Sequence, residues 1–133
     1  MRAGLPLLAL LAASPALAQT RIPRERTFHL GALAGQETVT QRHASWHRDY
    51  TPNTPPQIEL RSRPQHGTVA VRPGPSTVRL VREDVPVTCL GVTFPGTVVL
   101  YTPAPGYRGA DGFDRTVVSS NGVSHDTVVL DVR

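Results

Sequence analysis

Tyr101-Thr-Pro-Ala-Pro-Gly-Tyr-Arg-Gly-Ala-Asp-Gly-Phe113 is followed by a Val-rich run, an Asn121-Gly122 pair and a second Val-rich run ending at Arg133. The Pro and Gly of the first stretch break pairing and set turn dihedrals, while the flanking runs alternate apolar and polar side chains at period two. In the last run Val128, Leu130 and Val132 share one face, and Thr127, Asp131 and Arg133 share the other. Asn-Gly suits a type I′ turn with positive φ at both central residues, so Phe113–Ser119 and Ser124–Val132 are expected to form an antiparallel hairpin.

The same alternation runs back along the chain. Ile58 and Leu60 oppose Glu59 and Arg61; Val69 and Val71 oppose Thr68, Ala70 and Arg72; Val78 and Leu80 oppose Thr77 and Arg79. Arg63–Gly67 and Pro73–Ser76 read as the turns of hairpins between these runs. Pro86–Val92 and Thr97–Thr102 supply further strands, and Phe28–Leu30 and Glu37–Thr40 can add to them. Gln41–Pro56, with Trp46 and Tyr50, reads as a loop or a short helix. No segment holds a 3.6-residue apolar period, so the expected fold is all-β: one antiparallel sandwich of about seven strands, Greek-key in type. Eleven Gly and thirteen Pro in 133 residues stay below the roughly 25–30% that marks aperiodic low-complexity chains.

The first residues read as an export signal. Arg2 provides the positive start, Leu5–Ala13 the apolar run and Ala16-Leu17-Ala18 the small-x-small cleavage site, so residues 1–18 form a signal peptide and the mature chain begins at Gln19. The run is shorter than the ~20 apolar residues of a membrane span. The expected address is secreted, periplasmic or cell-surface, and bacterial. What remains suffices for one domain, with residues 19–56 giving N-terminal strands and a loop and 57–133 the core of the sandwich.

Pro64-Gln-His-Gly-Thr-Val69, then Tyr101-Thr-Pro103, Gly106-Tyr107, Gly109, Asp111 and Phe113, together resemble the bacterial immunoglobulin-like and cadherin-like repeats of exported proteins over about the last seventy residues. The resemblance implies an extracytoplasmic immunoglobulin-like spacer, adhesion or ligand-binding module without catalysis. The residues explain themselves structurally as well: Tyr107 is placed to pack at the corner and bond backbone across it, and Asp111 to bond nearby backbone N–H groups. Gly106, Gly109 and Gly112 allow dihedrals that a Cβ would forbid. Arg115 departs from the pattern, because it shares parity with Phe113 and Val117 where such repeats carry an apolar side chain. It is expected at the sandwich rim, paired with Asp131 or Asp114.

The chain carries a formal charge of +4 with fourteen basic residues, all of them Arg. Arg61, Arg63, Arg72 and Arg79 fall on exposed parities and, with Arg115, are the candidate binding surface for an anionic polysaccharide or an acidic envelope protein. Nucleic acid is disfavoured, because no aromatic platforms are interleaved with these charges. His43 and His47, at i and i+4, are the candidate ligands of an alternative reading, a periplasmic metal-binding protein, if their segment is helical. A copper site fails for want of a His close after Cys89 and of a Met in the mature chain, and calcium fails for want of a carboxylate cluster, leaving Asp111, Asp114, Asp126 and Asp131 to turns and surface. No cofactor is expected. Cys89, the lone cysteine, is either an inert buried thiol or the link of a disulfide-bonded dimer. In Ser124-His125-Asp126 the strand alternation sends His125 away from both neighbours, so the triad is nominal and an enzyme is disfavoured.

Overall fold

The computed structural model describes residues 22–79 and 89–133. Residues 1–18, expected to form a signal peptide, Leu80 and most of the strand expected at Pro86–Val92 lie outside the described residues. Seven strands are described: β1 Arg24–Ala32, β2 Thr38–Ala44, β3 Gln57–Ser62, β4 Gly67–Thr77, β5 Thr93–Pro103, β6 Gly109–Ser119 and β7 Gly122–Val132. They form two sheets, ordered β1-β7-β6-β3 and β2-β5-β4, so the protein is a β-sandwich. No described helix is long and apolar enough to cross a membrane.

The core follows from strand parity. Phe113, Val128, Leu130 and Val132 of the larger sheet meet Val99 and Tyr101 of the smaller, and Ala32 closes the cluster. Ile58 and Leu60, the apolar face expected of β3, pack against it, as does Val69 of β4. β5, the middle strand of its sheet, buries consecutive side chains from Val98 to Tyr101, and Trp46 stacks on its Phe94 at 4.7 Å.

Three connections differ from the sequence expectation. Residues 63–66 do not turn a hairpin: β3 pairs with β6 and β4 with β5, so this segment carries the chain from one sheet to the other. Pro73–Ser76 is not a turn either, since β4 runs through it, with Pro73 opposite Thr97 and Pro75 opposite Pro95. β4 is an edge strand bonded on one side only, which is where the missing N–H of proline is tolerated. The sandwich is also not wholly antiparallel: β1 runs parallel to β7 from Arg24 opposite Ser124 to Ala32 opposite Val132. β6 occupies one side of β7, and β1 takes the side left free.

β6 and β7 do form the expected antiparallel hairpin, but the turn residues are Ser120 and Asn121, with Ser119 opposite Gly122. Only Gly122 takes a positive φ there, of 133°, so the turn is not type I′; glycine absorbs the left-handed twist at one position where two were expected. Gln41–Pro56 contains no helix. β2 extends to Ala44, and a Trp46–Pro52 bridge closes a tight loop in which Asp49 accepts from the backbone N–H and hydroxyl of Thr51.

At the end of the sandwich opposite this hairpin, the Tyr101–Phe113 corner is consumed by its own bonds. Asp111 accepts from the Tyr101 hydroxyl at 2.5 Å and from the N–H groups of Gln65, His66 and Gly112 at 3.0, 3.2 and 2.9 Å. One carboxylate thus ties the β3–β4 crossing to the start of β6. Tyr101 is fully buried, and burial, with the hydrogen bond to Asp111, raises its phenol pKa far above the usual value. Tyr107 donates to the carbonyl of Ala110 and stacks on His66 at 4.0 Å. Gly112 serves close packing rather than an unusual dihedral, since a Cβ there would lie 2.7 Å from the carbonyl oxygen of Val128. Asp111→Ala is expected to cost about 2–3 kcal/mol in urea unfolding, because it strands a buried hydroxyl and removes a charged acceptor, whereas Tyr101→Phe, which loses one bond, is expected to cost about 1 kcal/mol.

Candidate functional site

The interior parity of three strands carries more than apolar side chains. One layer nearer the β6–β7 hairpin than the Phe113–Val128 pair, β1 contributes Arg26, β7 Asp126 and β6 Arg115, all three in register. Leu60 of β3 completes that row. Across the sandwich stand Gln41 and His43, which a bulge in β2 between Val39 and Gln41 brings to the interior face opposite Val99 and Thr97. The sequence expectation for Arg115 is therefore corrected twice. The residue lies at 0% exposure rather than at the rim, and its partner is Asp126 rather than Asp131 or Asp114.

Arg26 grips Asp126 with two bonds, Nε to Oδ1 at 2.9 Å and Nη2 to Oδ2 at 3.0 Å, and reaches Ser124 at 2.8 Å. Ser124 also donates to Asp126, at 2.9 Å. Arg115 donates from Nε to Asp126 Oδ2 at 3.2 Å and from Nη2 to the Gln41 side-chain oxygen. Both guanidiniums lie over the Phe28 ring, at 5.4 and 5.6 Å from its centroid, so the charges are held between ring and carboxylate. Burial by itself would raise the Asp126 pKa, but the bonds from Arg26 and Ser124 and the two positive charges outweigh it and hold the carboxyl below its ordinary value. Burial likewise pulls the Arg115 pKa down, and Asp126 opposes this. Asp126, expected in a turn or surface role, is the buried anion of the cluster.

Two buried nitrogens have no partner among the described residues, Arg115 Nη1 and His43 Nε2. His43 is 8% exposed, and burial together with the neighbouring Arg115 lowers its pKa to about 4, so the imidazole is neutral at pH 7. Arg26, with 38% of its side chain exposed, uses Nε and Nη2 on its partners and leaves Nη1 unbonded among the described residues.

Two adjoining clefts open beside this cluster. One, of about 720 Å³, is lined by Arg24, Arg26, His43, Ser119, Asn121 and Ser124 among others. The other, of about 1010 Å³, includes Gln41, Arg42, Trp46 and Arg79. Arg26, His43, Ala44 and Asn121 belong to both. Among the described residues no carboxylate lines either cleft.

The other residues singled out from the sequence are scattered. Arg61 and Arg63 belong to the end of β3 in the larger sheet, while Arg72 and Arg79 belong to β4 and its exit in the smaller, so the four do not make one patch. Arg72 is already paired with Glu37 through two bonds of 3.2 and 3.1 Å, and of the four only Arg79 reaches either of these two clefts. His43 and His47 do not share a helix face. His43 is buried in β2, His47 is exposed in the following turn, and among the described residues no group of three metal-ligating side chains assembles. His125 pairs with Glu25 at 3.1 Å on the outer face while Ser124 and Asp126 point inward, so the three do not form a catalytic line. Cys89 is free and fully enclosed. A disulfide-linked dimer through it requires that turn to open, and the thiol is expected to resist a thiol reagent in native buffer and to react promptly in denaturant; equal rates in the two conditions would show the turn to be open already.

Fold and site together define a β-sandwich that buries a charge cluster beside two open clefts. No protein-family model matches the chain, and no curated protein and no solved structure matches it.

Proposed function

We propose that the chain is an exported, non-catalytic immunoglobulin-like module that binds a protein or an anionic polymer of the cell envelope at the Asn121 end of its sandwich. The observation that carries this reading is the pair of clefts meeting at Arg26, His43, Ala44 and Asn121, built on strands whose interior rows are fixed by packing and charge. The Tyr101–Gly112 corner, by contrast, spends its polar groups on its own fold. A separated Ser124, His125 and Asp126 and a sealed Cys89 support binding over covalent chemistry. The export signal and the resemblance of Pro64–Val69 and Tyr101–Phe113 to exported repeat domains support the address.

Expression of the full chain in a Gram-negative host, with N-terminal sequencing of the product in each fraction, is expected to find a mature form beginning at Gln19 outside the cytoplasm. An unprocessed cytoplasmic product would refute the export half of the reading. Capture from envelope extract on the immobilised mature protein is expected to recover a partner that an Asn121→Glu variant loses, because a carboxylate on a longer side chain at that position intrudes on both clefts and repels an anionic ligand. Recovery of nothing above a control column would refute the binding half.

A further inference from the structure

Two guanidiniums, Arg26 and Arg115, share the single carboxylate of Asp126, and Gln41 and the neutral His43 bring no compensating charge. The interior cluster therefore holds one surplus positive charge, with Arg115 cut off from water. A desolvated charge is stabilised only by pairing, and its field is poorly screened. That field emerges where Arg26 is exposed, at the junction of the two clefts, and Arg24 and Arg42 add to it from either side. Donors stand ready there: the unbonded Nη1 of Arg26 and the second N–H of the exposed Asn121 side-chain amide, whose other N–H is used on Ser45. A buried donor left unpaired behind them, Arg115 Nη1, marks the cluster as short of an acceptor. Guanidinium forks match planar or tetrahedral oxyanions, and among the described residues no carboxylate lines the clefts to repel them.

We propose that the junction of the clefts, at Arg26, His43 and Asn121, is an oxyanion site that takes the carboxylate of an acidic sugar within a polysaccharide. The inference rests on the binding-module reading and assigns the chemistry of its ligand. A free inorganic anion fits the charge but fills little of clefts of about 720 and 1010 Å³, whereas a sugar residue bearing the carboxylate occupies one and lets the chain continue into the other. Trp46 beside the junction offers an apolar surface for a sugar ring.

The test is NMR titration of the mature protein with four probes: an oligogalacturonate, the same oligosaccharide fully methyl-esterified, inorganic phosphate, and a polyglutamate peptide. Expected are saturable shifts at Asn121, Ser119 and the Arg26 Nε–H with the acidic oligosaccharide, loss of binding on esterification, and a weaker response of the same resonances to phosphate. Arg26→Gln is expected to weaken binding at least about tenfold. Because it also loosens the hold on Asp126, Arg24→Gln, which leaves the cluster intact, is the second test, expected to weaken binding about two- to fivefold with unchanged thermal stability. Equal binding of the esterified probe, absence of any shift at the junction, or tighter binding of polyglutamate than of the sugar would each overturn the proposal. If envelope capture succeeds while none of the probes binds at the junction, the ligand chemistry is wrong and the binding module stands; if capture also fails, both fall.

Discussion

Asp126→Ala is expected to lower the unfolding free energy by about 3–5 kcal/mol, the largest effect of any single substitution in the polar layer. The change removes the only anion that Arg26 and Arg115 share and leaves one guanidinium at 0% exposure with Gln41 as its sole hydrogen-bond partner. Arg115→Met is the informative contrast. It withdraws the enclosed charge, fills similar volume beside Phe28 and Phe113, and leaves Asp126 held by Arg26 and Ser124. A buried ion pair gains in mutual attraction little more than it loses in desolvation, so this variant is expected to fall within about 1 kcal/mol of the parent. Urea unfolding of the two variants side by side checks both. A mild Asp126→Ala would mean that the carboxylate is not the hub of the layer, and a crippling Arg115→Met would mean that the guanidinium holds the sheets together by itself. If Arg115 supplies the surplus charge of the oxyanion site, the stable Arg115→Met protein should also bind acidic sugar more weakly, which separates a role in folding from a role in recognition.

Stability is expected to fall by on the order of 3 kcal/mol as pH drops from about 6.5 to about 4, through His43. The unfolded chain protonates this imidazole near its ordinary value of 6.5, while the folded chain holds it neutral down to about 4. Within that window the unfolded state binds the extra proton, so acidification favours unfolding; above it the full stability is present. The cause is burial first, then Arg115 of β6, with Arg26 of β1 acting in the same sense and Asp126 of β7 against it. His43→Leu should flatten the dependence across this window and leave a fall at lower pH, where Asp126, held below its ordinary pKa, takes up its proton. Urea midpoints measured from pH 4 to 7 on both proteins decide it. An unchanged slope in the variant would show that another group titrates there.

The polar layer was half legible beforehand. Parity placed Arg115 on the face of Phe113 and Val117, and the same rule, run one step further up β7, would have placed Ser124 and Asp126 with Val128. Parity alone does not mark Asp126 as buried, because an acidic residue next to a turn is ordinarily solvated. Arg26 and His43 carried no such signal. Their inward orientation depends on the parallel pairing of β1 with β7 and on the bulge in β2, neither of which leaves a mark in local composition. The four Arg assigned to one surface illustrate the converse, since adjacency in sequence suggested a hairpin where the chain in fact changes sheets between β3 and β4.

Local alternation and turn residues by themselves determined that this chain forms strands, which side chains of β3, β6 and β7 face inward, and where the corner and the final hairpin lie, because a strand's period of two and a turn's dihedrals are properties of a few consecutive residues. Which strands become neighbours was decided only by the tertiary structure. Pairing is chosen by the burial of whole faces and the bonding of whole edges, and it alone brings Arg26, Gln41, His43, Arg115 and Asp126 from four strands into one layer and opens the clefts beside them.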